Sequence, residues 1–311
     1  MVPPSAPAGG ASPGSQAERT ARQRMRRRAK HRSNERSESF TRSFKALGFL
    51  ARNGVQVSAR VTDLATGDPL LSIDDHVVMP TGAVGEVLLL IEVAARLDDA
   101  DFAALTILER ESADAVHGAG LWQHLQASAF HPADLALLVG ATSDNLATNV
   151  LLEYVGLDAV RRRTEGLGLK RTALLDRARD QRGPDDAPHL SVASMRELTW
   201  LFSGLAHGEV VDSEASQRVT GWLSAGGDLS LVPSVFGLNP LAHRSPGHGI
   251  QVFNKTGHDA GVRADAGVVR GPRAGVTYAV AASFSDTELS VRLAVHEALR
   301  TIGADLLEYV A

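Results

Sequence analysis

Three short stretches of this chain contain residues whose types could support chemistry. They are Ser143-Asp144-Asn145, Lys255-Thr256-Gly257 and the segment Met79–Leu97, in which Ala83 and Glu86 stand three positions apart. A serine hydroxyl can act as a nucleophile when a neighbouring base accepts its proton. Each stretch alone is a weak signal, because the first is also typical of a helix cap and the second of a turn at the end of a strand.

The segment Met79–Leu97 is predicted to hold a buried central helix. Its second half is apolar on nearly every side apart from Glu92 and Arg96. A helix without a polar face is normally buried in a sizeable domain. Side chains three positions apart share one helix face, so Ala83 and Glu86 should lie one turn apart at the start of this helix.

Basic residues are concentrated near the start of the chain. Residues 19–45 contain eleven Arg or Lys, whereas residues 46–311 carry 21 basic and 33 acidic side chains. The negative charge of the body argues against nucleic acid binding by the folded part. Residues 1–36, rich in Pro, Ala, Gly and Ser and then in Arg, are predicted to form a disordered basic tail. A solvated tail is favoured over an arm that contacts nucleic acid or membrane.

Composition also constrains the compartment. Cysteine is absent, which excludes thiolate chemistry and disulfides. The longest apolar run is interrupted by Glu92 and is too short to span a bilayer. No apolar segment follows the basic start, so the protein as written is expected in the cytoplasm. A start codon further upstream could add a signal peptide and place the protein outside the cell.

The order of predicted elements indicates an α+β domain over residues 37–311. Two strands near the start are followed by a long helical region, three more strands and a closing helix, which predicts a sheet built from both ends of the chain. The helical region is predicted to include residues 102–108, 121–128 and 192–207. The predicted strands cover residues 55–62, 70–73, 250–254, 267–269 and 276–284.

The order of the three motifs is far more specific than any one of them. A proline-led apolar helix, then Ser-Asp-Asn, then Lys-Thr-Gly about 110 residues later, resembles the class A β-lactamases and the related serine penicillin-recognising hydrolases. The similarity runs from about residue 38 to the C-terminus and includes the segments GAGLWQHL, SDNLATNVLL, LGLKRTALLDR and AGVRADAGVV. The resemblance implies a β-lactamase-like fold, with an antiparallel sheet packed against a large helical region.

The residues that the resemblance places at the catalytic positions are not catalytic. The family's S-x-x-K serine falls at Ala83, its lysine at Glu86 and its loop glutamate at Arg179, and no S-x-x-K occurs anywhere in the chain. The nucleophile, its base and the deacylation base are therefore all replaced. Loss of the nucleophile costs a serine hydrolase on the order of 10⁶ in turnover, or about 8 kcal/mol of barrier.

The replacements suggest an ion pair of reversed polarity. In the family the lysine and the loop glutamate face each other, so the resemblance predicts a pair between Glu86 and Arg179. An unpaired buried carboxylate would cost several kcal/mol, so some cation must compensate Glu86. Lys255 is the competing partner.

The remaining motif residues predict a binding site. The resemblance implies that Ser143, Lys255, Thr256 and Gly257 line the part of the pocket that holds a ligand carboxylate, and that Asn145 presents its amide to a ligand carbonyl. These residues could equally be inherited structural residues. No cofactor is expected, and no metal site either. His243 and His248 lack the spacing to a third ligand and are interpreted as surface residues.

Three functions follow from these observations. The first is a pseudoenzyme that has lost hydrolysis and binds a β-lactam-like or other carboxylate-bearing small molecule, or an unknown protein partner. The second is an unconventional β-lactam or amide hydrolase in which Ser143 is the nucleophile and Lys255 its base. The third is an interaction protein whose basic tail makes the contact.

Overall fold

The structure is a computed structural model that describes residues 39–97, 106–111, 116–244 and 249–311. Within it, Phe40–Ala311 forms one compact unit. The predicted basic tail lies outside the described residues, as does most of the segment 102–108 that was predicted to be helical.

A five-stranded antiparallel sheet is built from both ends of the chain, as predicted. The strand order is β2-β1-β10-β9-β8, so an N-terminal hairpin pairs with the C-terminal strands. In the central pairing, Ala59 lies opposite Val280. The strands are β1 Gln56–Asp63, β2 Pro69–Ile73, β8 Gln251–Asp259, β9 Val262–Arg270 and β10 Gly275–Ser283.

Two helices from opposite ends of the chain contact each other beside this sheet. They are α1, Thr41–Arg52, and α8, Leu289–Val310, both of which contribute apolar side chains to the core on that side. Asp305 of α8 is buried and accepts hydrogen bonds from the Ser43 backbone N–H (2.9 Å) and hydroxyl (2.6 Å). Arg42 also pairs with Asp305, at 2.7 Å.

The predicted central helix is confirmed. It is α2, Glu86–Arg96, and its residues from Glu86 to Ala94 are all buried. Its buried charge Glu92 is compensated by Arg96 and Arg163, at 2.7 and 2.8 Å. Within the described ranges the helical part contains five further helices: α3 Pro132–Thr142, α4 Asn145–Val155, α5 Leu157–Gly166, α6 Met195–His207 and α7 Ser213–Ser224.

Several short elements differ from the sequence-based prediction. A three-stranded sheet of order β3-β7-β6 joins Val78–Pro80, Ser191–Ser194 and Ala173–Leu174, and a two-stranded one joins β4 Leu108–Glu109 to β5 Ala129–Phe130. The segment 192–207 therefore begins as a strand, and its helix starts only after Ser194, whose hydroxyl caps it by accepting from the Glu197 N–H. Segment 121–128 contains only one 3-10 turn, Trp122–His124. Isolated short strands are decided by tertiary pairing, which local propensity does not encode.

Across the described ranges, we find no helix with both the length and the apolar character needed to cross a membrane.

One carboxyl group is buried inside the sheet without a cation beside it. Asp265 of β9 is fully buried and accepts hydrogen bonds from Asn254 Nδ2 (3.0 Å), Tyr278 OH (2.9 Å) and the Val232 backbone N–H (3.0 Å). Burial raises the pKa of Asp265 from 3.8 to about 7, against the opposing effect of the three hydrogen bonds. Asp265 thus joins β8, β9, β10 and the 3-10 turn Val232–Val235.

This burial predicts an unusual pH dependence of stability. The folded chain holds the Asp265 proton more tightly than the unfolded chain, so the free energy of unfolding should fall as pH rises from about 4 to about 7, by up to about 1.4 kcal/mol per pH unit. Urea unfolding at four pH values in this window measures the slope. Asp265→Asn should flatten it, at the cost of a poorer contact with the Val232 N–H.

Asp63→Asn is the matched control. Burial opposes ionisation of Asp63, but hydrogen bonds from Tyr309, Thr66 and Ala65 prevail and lower its pKa. Asp63 therefore contributes stability above pH 4 that disappears in acid, the opposite trend. A wild-type slope retained in Asp265→Asn would mean that Asp265 is ionised throughout.

Candidate functional site

A tight turn places Ala83 above Glu86. Residues Gly82–Gly85 form a 3-10 turn, and α2 begins directly after it. Ser191 holds this turn by donating its hydroxyl to the Gly82 carbonyl oxygen at 2.6 Å. Residues three apart eclipse one another in a 3-10 turn. Ala83 lines an open cleft, and the Glu86 side chain lies completely buried behind Ala83.

Glu86 forms its ion pair with Lys255. The Lys255 Nζ lies 2.9 Å from Glu86 Oε2, and both side chains are buried. Thr148 donates its hydroxyl to Glu86 Oε1 at 3.1 Å. The contact of Oε2 within the described part of the chain is therefore this close ionic one with Lys255. Burial raises the pKa of Glu86, and the Lys255 ammonium counteracts that effect.

The predicted pair between Glu86 and Arg179 is wrong. Arg179 instead contacts Asp176 and Asp186, at 2.7 and 3.1 Å, and about a third of its side chain is exposed. Asn149 of α4 exchanges two hydrogen bonds with the backbone of Ala178, at 3.1 and 2.8 Å. This contact turns Ala178 inward, so the next side chain, Arg179, extends along the loop towards the loop's own carboxylates. The competing partner, Lys255, is the one that compensates Glu86.

The Ser-Asp-Asn motif combines a displayed serine with two tethered side chains. Ser143 ends α3 in the left-handed conformation, with φ of 51°, and lines the cleft. Asp144 caps α4 by accepting from the Ala147 N–H, and also accepts from the Leu121 and Trp122 N–H groups at 2.7 and 2.8 Å. A structural role for Asp144 is therefore clear. Asn145 also lines the cleft.

The Asn145 side chain is only partly available to a ligand. Its Nδ2 donates to the His117 carbonyl oxygen at 3.0 Å, which ties the motif to the loop before it. A contact between Asn145 and a ligand carbonyl stays a prediction.

The Lys-Thr-Gly motif lies on β8 and uses both faces of the strand. Lys255 and Gly257 face the start of α2, whereas Thr256 and His258 face the cleft, as the two-residue alternation of a strand requires. A Cβ atom on Gly257 would lie 2.0 Å from the Thr81 carbonyl oxygen. Only glycine lets β8 approach the turn this closely, so Gly257 shapes the site without offering a side chain to it.

Lys255 also brings Ser143 into the same network. Its Nζ donates a hydrogen bond to Ser143 Oγ as well as pairing with Glu86. Ser143, Lys255 and Glu86 thus form a continuous polar chain from the cleft surface into the core.

The cleft has a volume of about 930 Å³. It brings together Ala83, Ser143, Asn145, Arg179 and Thr256, all singled out from the sequence. Its wall also contains Asp180, Asp228, Asp259, Arg182, His117 and His258.

Among these additional residues, Asp228, His117 and Asp180 make contacts that the sequence analysis missed. Thr256 donates its hydroxyl to Asp228 Oδ2. His117 Nδ1 lies 2.7 Å from Asp180 Oδ2, and the pKa of His117 is raised by this hydrogen bond. His258 could have been found, because it follows Thr256 by two positions on a strand. Asp228 and Asp180 lie in loops, where no periodicity points to them.

The structure describes one of the two histidines that the sequence analysis considered as metal ligands. His243 is buried, contrary to the expectation of a surface residue, with its Nδ1 3.1 Å from the Pro240 carbonyl oxygen. His248 lies outside the described residues. No cluster of potential metal ligands occurs in the ranges that the structure describes.

Comparison with known proteins decides the family. A family model described as the beta-lactamase enzyme family matches residues 39–310, nearly the whole of the compact unit. The chain belongs to the beta-lactamase enzyme family. A search of curated proteins found no match.

Solved structures confirm the β-lactamase-like α+β fold. The beta-lactamase from Sphaerobacter thermophilus superposes with a TM-score of 0.76 at 22% identity, covering 88% of this chain and 97% of that one. A mutant of PBP-A solved as an acyl-enzyme complex with penicillin G gives 0.71 at 18% identity, covering 86% and 96%. A beta-lactamase from Xanthomonas campestris gives 0.71 at 16% identity, covering 86% and 97%. At these identities the likeness establishes the fold.

The buried ion pair predicts the stability of its variants. Lys255→Met removes the cation and leaves Glu86 uncompensated, which should lower the free energy of unfolding by roughly 3–5 kcal/mol. The deficit should shrink in acid, where Glu86 takes up a proton. The double variant Lys255→Met, Glu86→Met should recover most of the loss, because it removes both charges. Urea unfolding of the wild type, Lys255→Met, Glu86→Met and the double variant completes the double-mutant cycle.

Arg179→Ala is the control for this cycle. It removes a cation from a half-exposed loop position and should change stability much less than Lys255→Met. A loss as large as that of Lys255→Met would restore the rejected pairing with Glu86.

Proposed function

We propose that this protein is a β-lactamase-like pseudoenzyme that binds a small molecule in its cleft without hydrolysing it. The observation that carries the proposal is the buried Glu86–Lys255 pair beneath Ala83. At the position that the family resemblance assigns to the nucleophile, the chain has a methyl group. At the position assigned to its base, it has the Glu86 carboxylate, which forms an ion pair with Lys255. A methyl group cannot attack a carbonyl in any protonation state.

The cleft itself supports a binding role. Its volume of about 930 Å³ is within the range of small-molecule sites, roughly 300–1,000 Å³. The motif residues Ser143, Asn145 and Thr256 still line it. A structural neighbour, PBP-A, holds penicillin G as an acyl-enzyme, so a cleft on this fold can receive a small molecule. Here the receiving surface remains, whereas the reacting groups are replaced.

Hydrolysis of a chromogenic cephalosporin tests the proposal. The wild type should give no turnover above buffer. A variant with Ala83→Ser, Glu86→Lys and Arg179→Glu should gain measurable turnover, because it restores all three family groups in a preserved cleft. The matched control carries only Glu86→Lys and Arg179→Glu and should stay silent. Thermal unfolding of each variant establishes that it is folded, since Glu86→Lys places a second ammonium beside the buried Lys255 and Arg179→Glu adds a carboxylate beside Asp176 and Asp186.

A second function is favoured by one contact, the hydrogen bond from Lys255 Nζ to Ser143 Oγ. In this reading Ser143 attacks an amide or β-lactam carbonyl, and its proton passes to Lys255. The lysine must first be neutral. That step requires a proton transfer from Lys255 to Glu86, whose carboxyl group has a raised pKa because of its burial.

Two substitutions separate the second function from the first. If the wild type hydrolyses the cephalosporin, Ser143→Ala should abolish turnover and Glu86→Gln should reduce it. Thr142→Ala, which removes the neighbouring cleft hydroxyl, should leave turnover unchanged. Turnover that survives Ser143→Ala would eliminate the serine–lysine mechanism, and a silent wild type supports the pseudoenzyme.

A further inference from the structure

The ligand's chemistry can be inferred from how the cleft's own polar groups are used, and the inference rests on the proposed binding function. A carboxylate ligand would need the donors Lys255 and Thr256. Both already have acidic partners within the protein: Lys255 pairs with Glu86, and the Thr256 hydroxyl donates to Asp228. The sequence predicts a positively charged subsite for a ligand carboxylate, but the protein's own acidic residues Glu86 and Asp228 already occupy its two donor residues.

Asp228 is the cleft carboxylate that contacts the Lys-Thr-Gly motif. About 40% of its side chain is exposed. Its Oδ1 accepts from the Ser230 N–H at 3.0 Å and its Oδ2 accepts from Thr256. These hydrogen bonds hold the carboxylate at the cleft wall, and together they lower the pKa of Asp228 against the effect of burial. Asp228 is thus a fixed, ionised group that a ligand entering the cleft would meet.

The nearest histidine does not cancel this charge. His258 Nε2 lies 3.9 Å from Asp228 Oδ2, beyond hydrogen-bond distance. Burial lowers the pKa of His258 despite the attraction of Asp228, and Arg263 and His296 lower it further. His258 is therefore neutral at physiological pH. It does not compensate the negative charge of Asp228, which faces the cleft.

The other charges of the cleft wall do not restore a positive subsite. Arg179 is bound by Asp176 and Asp186, and Arg182 is bound by Asp176 at 2.6 Å. Asp259, by contrast, adds a third lining carboxylate to Asp180 and Asp228. The guanidinium groups of Arg179 and Arg182 are paired with carboxylates of their own loop. Asp228 and Asp259, by contrast, lie on the β8 side of the cleft.

We propose that the cleft recognises a cationic group, a primary amine or an amidine, which binds the Asp228 carboxylate, and that it rejects carboxylates. The cation donates to Asp228, and the Ser143 hydroxyl accepts a further hydrogen from an amine that reaches across the cleft. Asp228 is the residue that sets this specificity. A carboxylate at the same place would face Asp228, because Lys255 is buried against Glu86 and the Thr256 hydroxyl already donates to Asp228.

Three probes of one size test the preference: benzylamine, benzyl alcohol and benzoate. Each is titrated into the ¹⁵N-labelled full chain, and binding is followed at the backbone amides of Thr256 and His258. Benzylamine should give saturable shifts at both, with an affinity at least several-fold above that of benzyl alcohol, and benzoate should give none. Asp228→Asn should weaken benzylamine roughly fivefold, as expected for one half-exposed ion pair, and should leave benzyl alcohol unchanged.

Asp259→Asn is the matched control, because it removes a lining carboxylate that does not contact Thr256. It should change benzylamine affinity by less than about twofold, as expected of a more distant, solvent-screened charge. Benzoate binding at Thr256 as tightly as benzylamine would overturn the inference. So would the absence of shifts with benzylamine, or equal losses in the two variants. Hydrolysis of cephalosporin by the wild type would instead refute the proposed function, and these non-hydrolysable probes report on the amine preference independently of it.

Discussion

The buried ion pair between Glu86 and Lys255 is the interaction on which the site depends. It joins the first residue of the central helix to the middle of strand β8, across 169 positions of sequence. Neither charge can be buried alone without a cost of several kcal/mol, so each requires the other in place. The close approach of Gly257 to the Thr81 carbonyl oxygen brings the same two elements together. The helical part and the sheet therefore meet at a contact with little freedom to change.

That contact also determines what the cleft can do. A lysine beside a cleft can bind an anion when its charge is available, but here Lys255 is paired with Glu86. Thr256, the next residue, gives its hydroxyl to Asp228. Two internal carboxylates thus occupy the donors that the family resemblance assigns to a ligand. The cleft is still lined by the motif residues Ser143, Asn145 and Thr256, and its wall also contains the carboxyl groups of Asp180, Asp228 and Asp259.

The fold of this protein does not depend on the residues that the family resemblance places at the catalytic positions. The β-lactamase-like architecture is held by an apolar central helix, a sheet from both chain ends and caps such as Asp144, none of which requires a working nucleophile. Replacement of the reacting groups is therefore compatible with the fold, provided that buried charge stays balanced. Function has to be argued from the site, because the fold supports both outcomes.

Local pattern was enough to determine much of this protein. The apolar run after Glu86 predicts the buried central helix, the strand patterns at both ends predict the sheet, and the residue type at Ala83 excludes a serine nucleophile at the position that the family resemblance assigns to it. These features follow from residue type and short-range periodicity. The short strands at 191–194 were not predictable in this way, because their pairing with residues 78–80 is decided by tertiary contact.

The partners of the polar groups were decided by tertiary structure alone. Sequence analysis required a cation for Glu86 but could not choose between Arg179 and Lys255. Glu86 pairs with Lys255 and not with Arg179, because Asn149 anchors the loop at Ala178 and directs Arg179 towards its neighbouring carboxylates. The position of Asp228 beside Thr256 likewise has no sequence signal. Electrostatic partners depend on distances of a few ångströms between residues far apart in the chain, and only the folded structure sets those distances.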